Sequence, residues 1–213
     1  MPIYDDRHAS YITDEFARPD AVLQQVLAAI PARGLPQITI KPEEGRFLQF
    51  LVRACSARRA VEIGTLGGYS GIWLARGLPA GGRLVTLEKE PRHAEVAREH
   101  FALAGLLDRV EVRLGDAADL LPGLASEGPF DFCFIDADKQ GYGFYLDWAL
   151  GNVRPGGIIA AHNAFRQGTV LDEADHSPDS ESMRVFNRRF ASEPRLLGTI
   201  YPAGDGMLIG VVL

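Results

Sequence analysis

The chain is poor in several things at once. Only two cysteines occur in 213 residues, Cys55 and Cys133, in the apolar contexts LVRACSA and FDFCFID. A disulfide scaffold is excluded, and both read as buried thiols of a reducing compartment. No apolar run approaches the roughly 18–20 residues a membrane helix needs. The first eleven residues carry Asp5, Asp6, Arg7 and His8, and lack the apolar stretch of a secretory leader. Positive charge is not in excess: 22 Lys and Arg stand against 28 Asp and Glu, a formal net charge of −6. That argues against a nucleic-acid binder, whose footprint is basic. Repeats and low-complexity linkers are missing too. The hydrophobic share of 46% and charged share of 23% are globular averages, which excludes disorder and fibres. The expectation is a single cytoplasmic domain over 1–213.

Lysine is scarce as well. Lys41, Lys89 and Lys139 are the only three among the 22 basic residues. Genomic base composition alone can produce that bias. Where a chain that defaults to Arg uses Lys, however, the position can want a group able to lose its proton.

What is present is a change of grammar near residue 60. Residues 1–57 read as helical: PDAVLQQVLAAI puts Val22, Leu23, Val26, Leu27 and Ile30 on one stripe, and a second helix opens on Pro42, Glu43 and Glu44. Beyond them, the short apolar runs 60–64, 83–88, 109–115, 130–136 and 156–162 alternate with helical stretches at 70–78, 91–105, 118–124 and 142–153. Such alternation predicts a parallel sheet with helices on both faces. Ser177 and Pro178 read as N-cap and first position of a further helix. The runs 195–202 and 207–213 are joined by the turn AGDG, and a tight Gly turn makes them antiparallel. The expected fold is α/β, a seven-stranded, mostly parallel sheet with a C-terminal antiparallel hairpin.

In an open wound sheet, ligands bind beyond the C-terminal ends of the strands. After the first run stands EIGTLGGYS, with Glu62, Gly64, Thr65 and Ser70. This is not G-x-G-x-x-G, which presses backbone amides against a pyrophosphate. An acid ahead of a looser glycine turn suits a nucleoside with a cationic, phosphate-free tail; a turn with no ligand is the alternative. Glu88 follows the second run and can accept from both hydroxyls of a ribose, or be a surface acid at a helix start. Asp116 and Ala117 follow the third run, where an adenine edge could pack. Asp136, Asp138 and Lys139 follow the fourth, and His162 and Asn163 the fifth. Those last two strand ends should be neighbours. Carboxylate, imidazole and amide oxygen there make a divalent-metal set of Asp136, His162 and Asn163.

With EIGTLGGYS, VTLEKE, GDAADLLP, FDFCFIDADKQGYGFY, VRPGGIIAAHN and YPAGDGMLIG in order, residues 36–213 resemble the cation-dependent O-methyltransferases that use S-adenosyl-L-methionine. These are the caffeoyl-CoA and catechol O-methyltransferases and many bacterial small-phenol enzymes. The resemblance implies a Rossmann-like class I methyltransferase fold. It implies cofactor contacts from Ile40, Glu62, Gly64, Thr65, Ser70, Glu88, Asp116, Ala117 and Asp138. It implies that Asp136 meets both metal and substrate, that Lys139 helps deprotonate the acceptor hydroxyl, and that Gln167 falls where some relatives touch substrate. A homodimer is implied too, with 1–57 as lid and contact, and a small catechol- or phenylpropanoid-like acceptor.

One position departs from the pattern. The family reads Asp-Asn after the fifth strand, where this chain has His162-Asn163. Losing a carboxylate weakens a site for hard Mg²⁺ and shifts preference towards Mn²⁺, Fe²⁺, Co²⁺, Ni²⁺ or Zn²⁺. Alternatively, no metal binds and His162 is the general base. The ligand role ranks first, because Asp136 beside it would raise the imidazole pKa and impair a base at neutral pH. Three rivals stand beside this reading. One is a tRNA hydroxyuridine O-methyltransferase using a patch of Arg166, Arg184, Arg188, Arg189 and Arg195. The second is an NAD-dependent dehydrogenase, disfavoured by the missing fingerprint. The third is a non-catalytic nucleoside-binding module.

Overall fold

The computed structural model describes residues 5–213; the part of the N-terminal reading that falls on 1–4 lies outside them. The chain opens with α1 (Asp6–Phe16), α2 (Ala21–Ala32) and α3 (Pro42–Ala54). Asp5 and Asp20 cap the first two, accepting from amides of the first turn. Within the expected stripe of α2, Leu23, Val26 and Ile30 are buried while Val22 and Leu27 are half-buried. By contrast, α1 buries no residue.

The alternating part follows in the expected order: β1 (Arg59–Ile63), α4 (Tyr69–Gly77), β2 (Arg83–Glu88), α5 (Pro91–Leu103), β3 (Val110–Leu114), α6 (Ala117–Leu124), β4 (Phe130–Ile135), α7 (Tyr142–Asn152) and β5 (Val153–His162). Then come α8 (Pro178–Ser192) and the hairpin of β6 (Leu196–Tyr201) and β7 (Met207–Val212). The sheet order is β3-β2-β1-β4-β5-β7-β6. The first five strands pair in parallel, and β7 runs antiparallel to both β5 and β6.

One local reading needed correction, and one N-cap holds its expected position without the expected bond. β5 starts at Val153, three residues before the expected 156, pairing with Phe130 ahead of a bulge. Pro155 and Gly156 (φ +75°) sit inside it and hide the strand, since such residues mark irregular pairing. Ser177 holds the N-cap position of α8 but makes no capping bond; its hydroxyl donates to Asp175 instead.

Side chains alternate across the sheet. Phe132 and Phe134 of β4 pack with Leu48, Trp73 and Phe101 on the α3–α5 side. Cys133 and Ile135 pack with Leu121, Leu146, Phe186 and Phe190 on the α6–α8 side. Burial on both faces explains the unbroken apolar run of β4. Cys133 is fully buried and its thiol is pushed up to about 12 by burial; Cys55 is only partly buried. From β1 the chain winds to β2 and β3 on one side and to β4 and β5 on the other. The crevice between β1 and β4 is therefore the expected ligand position.

Candidate active site

A cavity of about 1420 Å³ opens at that crevice, roofed by α1 and by residues 36–44. Single small-molecule sites typically enclose roughly 300–1,000 Å³, so two ligands have room here.

One half is built from the loop after β1. Gly64 has φ +98°, and a Cβ there would collide with the Asp136 carbonyl, so only glycine lets this loop cross the end of β4. Glu88 folds under the loop: Thr65 N and Leu66 N donate to Oε2 at 3.3 and 2.7 Å, and Glu90 N donates to Oε1 at 2.9 Å. A carboxylate has about four acceptor positions, so capacity remains for a ligand hydroxyl. Asp116 caps α6 through Ala118 N at 2.8 Å, with Ala117 beside it on the cavity wall. Asp138 accepts from Tyr145 Oη at 2.6 Å and from Gly141 N at 2.9 Å. Ile40, Thr65 and Ser70 line the same space.

Glu62 does not reach the wall. Strand alternation turns it towards α4, and the hydroxyls of Ser70 on α4 and Thr86 on β2 donate to its two oxygens at 2.5 and 2.6 Å. Complete burial pushes its carboxyl up to about 8. The expected contact residue thus stands behind the loop, off the cavity wall.

The other half lies where β4 and β5 end. Ile135 pairs with Ala161, so the next residues, Asp136 and His162, come face to face. Asp136 Oδ2 lies 3.4 Å from His162 Nδ1. The opposite ring nitrogen, Nε2, bonds Glu44 Oε1 at 2.8 Å. Lys139 Nζ donates to Asp136 Oδ1 at 3.2 Å, to the Ala137 carbonyl at 2.9 Å and to Tyr142 Oη at 2.7 Å. Burial works against charge on Asp136, but Lys139 and His162 outweigh it and hold the carboxyl well below the usual range. Burial likewise works against charge on His162, and Asp136 and Glu44 outweigh it, raising the imidazole to about 10. A neutral-pH base is thus a poor role for His162.

Asn163, the third expected donor, is placed differently. At φ +61° its amide nitrogen donates to Asp205 Oδ2 at 2.7 Å. Among the described residues, no group of three or more His, Cys, Asp and Glu is placed to hold a metal. Any third donor must be the neutral amide. Gln167 also has positive φ, +55°, and its backbone amide donates to Asp205 Oδ1 at 2.5 Å. Three residues that sequence reasoning passed over matter here: Glu44, read as a first-turn acid, Asp205, read as turn filler, and Tyr142. No local signal marks Glu44 and Asp205, because their partners His162 and Asn163 lie far along the chain.

Four of the five arginines of the proposed patch are engaged within the chain. Arg166, Arg184, Arg189 and Arg195 pair with Asp179, Glu181, Asp147 and Glu193.

A family model described as O-methyltransferase matches residues 14–212. The chain belongs to this O-methyltransferase family. It is 43% identical over 209 residues to the catechol O-methyltransferase of Niastella koreensis, covering 95% of each chain. It is 48% identical over 190 residues to the catechol O-methyltransferase of Mycobacterium tuberculosis, covering 89% of this chain and 86% of the other. Among solved structures, the O-methyltransferase of Bacillus cereus in complex with SAH matches with a TM-score of 0.88 at 45% identity, covering 96% of both. The tomaymycin-synthesis O-methyltransferase of Streptomyces achromogenes, in complex with SAM, matches at 0.86 and 36%, covering 96% of this chain and 95% of the other. The chain is therefore an enzyme of the O-methyltransferase class. No helix among its described residues is long and apolar enough to cross a membrane.

Proposed function

We propose that this O-methyltransferase transfers the methyl of S-adenosyl-L-methionine to a hydroxyl of a small catechol- or phenylpropanoid-like acceptor. One observation carries the reading: a single cavity joins a half lined by Glu88 and Asp116 to a charged half around Asp136, Lys139 and His162. Relatives holding SAH or SAM support the cofactor, and relatives named catechol O-methyltransferase support the acceptor. In the reaction the hydroxyl oxygen attacks the sulfonium methyl. The C–S electron pair passes to sulfur, an O–C bond forms, and the hydroxyl proton leaves. Much of the rate comes from holding oxygen, carbon and sulfur in line. We assign the proton to Lys139, held by Asp136, Ala137 and Tyr142: its ammonium first gives up one proton, and with it one of these three donated bonds, so that the neutral amine has a lone pair to receive the hydroxyl proton.

The donor chemistry fits a divalent cation. Asp136 Oδ2 and His162 Nδ1 stand 3.4 Å apart, a spacing two ligands of one ion can share, and Asn163 has its carbonyl oxygen unclaimed by the Asp205 bond. We retain Asp136, His162 and Asn163 as the residues that would hold it. A set of two oxygens and one nitrogen favours Mn²⁺, Co²⁺, Ni²⁺ or Zn²⁺ over Mg²⁺. When bound, the cation supplies positive charge that favours the acceptor oxyanion. We also propose a homodimer in the cytoplasm. Tyr11 and Phe16 of α1 and Phe50 of α3 are exposed apolar side chains on the segment that would make the contact.

The acceptor class is tested by a panel of catechols, single-hydroxyl phenols and tRNA carrying hydroxyuridine, with labelled cofactor. Label should enter catechols and be absent from tRNA. Transfer to tRNA alone would overturn the reading.

A further inference from the structure

Two acids from distant parts of the chain stand directly behind the histidine and asparagine that close β5. Glu44, on α3, accepts the backbone amide of Lys41 on Oε2 at 2.7 Å and meets His162 Nε2 with Oε1 at 2.8 Å. Asp205, in the turn between β6 and β7, accepts the backbone amide of Gln167 on Oδ1 and the side-chain amide of Asn163 on Oδ2. The two constructions are alike. In each, one oxygen is tied to the backbone, which fixes the carboxylate, and the other meets a neighbouring side chain. They are also packed together: Gly204, next to Asp205, has φ +59°, and a Cβ there would overlap the Glu44 carboxylate.

A carboxylate oxygen only accepts, so Glu44 requires that His162 carry a hydrogen on Nε2. Of the two imidazolium nitrogens, Nδ1, the one that faces Asp136, is then the nitrogen whose proton a cation would displace. Asp205 acts in the same sense on an amide. It takes the NH₂ end of Asn163, so the oxygen is the end left over. Acids that hold the far side of a ligand commonly set metal affinity.

We propose that Glu44 and Asp205 are positioning residues for a divalent cation, selecting Nδ1 of His162 and the carbonyl oxygen of Asn163 as donors. This rests on the cation set proposed above. Glu44 does a second thing in this arrangement. It ties α3, and with it the segment at 36–44 that roofs the cavity, to the reacting end of β5. The proposed cation site and the N-terminal roof are thereby joined through one side chain.

Glu44→Gln separates a positioning role from a structural one. Glutamine keeps the shape but has one oxygen and one NH₂. If its oxygen keeps the Lys41 amide, the NH₂ faces His162 Nε2 and forces the hydrogen onto Nδ1, which can then no longer coordinate. Asp205→Asn repeats the test on the other acid. Co²⁺ is the probe, followed by calorimetry and by its visible ligand-field bands, with S-adenosyl-L-methionine affinity and thermal midpoint measured on the same samples.

The expected result is Co²⁺ binding by the unsubstituted protein, lost in His162→Ala. Glu44→Gln and Asp205→Asn should each weaken it by about 10- to 100-fold. Cofactor affinity should stay within about two-fold. If His162→Ala abolishes binding while both amide variants bind as the parent does, the positioning role is wrong and the cation set stands. If the parent binds neither Co²⁺ nor Mn²⁺ at millimolar concentration, the cation set fails and this inference fails with it. If Glu44→Gln does not fold, Asp205→Asn alone decides in the same way.

Discussion

At residue scale, the most telling position is His162. Its folded pKa is raised to about 10 from an ordinary value of 6.5. A raised cationic group contributes stability that is complete below the unfolded value and disappears as pH rises through the folded one. In EDTA-treated protein, stability should therefore fall between about pH 6.5 and 10, with a slope approaching about 1.4 kcal/mol per unit. Urea unfolding across that range measures it, and His162→Gln should flatten the slope; an equal slope in the variant would place its origin elsewhere. Glu88 supplies a second test. Glu88→Ala should weaken S-adenosyl-L-methionine binding by about 1–3 kcal/mol, as for a lost charge-assisted hydrogen bond. Glu88→Gln, which keeps one acceptor, should recover part of that. Unchanged calorimetric affinity in both would remove Glu88 from the ribose position.

The positions that line the cavity at strand ends were legible in the sequence. Asp136, Lys139, Glu88 and Asp116 are among them. Glu62 lies one residue inside the strand, where alternation and not sequence neighbourhood decides which way a side chain faces, so its burial away from the wall was not legible. Glu44 and Asp205 were illegible for another reason. Their partners His162 and Asn163 are 118 and 42 positions away, and only the folded sheet brings them together.

At the scale of elements, the strand–helix alternation was readable because burial on both faces leaves continuous apolar runs. β5 was read short since Pro155 and Gly156 look like a loop. The turn between β6 and β7 was recognised only as a reversal, yet it carries Asp205 and makes room for Glu44. Gly204→Ala tests that point. Added to a positive φ, the methyl overlaps Glu44, so a loss of about 1–3 kcal/mol is expected. Gly123→Ala is the control: it lies in α6 with nothing within 4 Å of the added Cβ, and should be neutral or stabilising by about 0.4–1 kcal/mol. Equal effects of the two substitutions in chemical denaturation would show that packing against Glu44 contributes nothing.

At the scale of the whole molecule, the sheet order places one switch point over one large cavity, and the ends of β1, β2, β4 and β5 all contribute to it. Self-association is expected through the N-terminal helices. Sedimentation at micromolar concentration should report about twice the 23.2 kDa chain mass, and Phe16→Glu with Phe50→Glu should shift it towards monomer. A parent that sediments as a monomer would refute the dimer. The central claim is methyl transfer to a catechol hydroxyl, with Lys139 carrying the proton. It is tested most directly by one measurement: turnover of labelled S-adenosyl-L-methionine with a simple catechol, in parent and Lys139→Met, with cofactor affinity measured alongside. The account predicts methylated catechol from the parent and a fall in kcat of about 10²–10⁴-fold in the variant, with cofactor affinity preserved. A parent that binds the cofactor but methylates no catechol, or a Lys139→Met enzyme that turns over at the parent's rate, would contradict it.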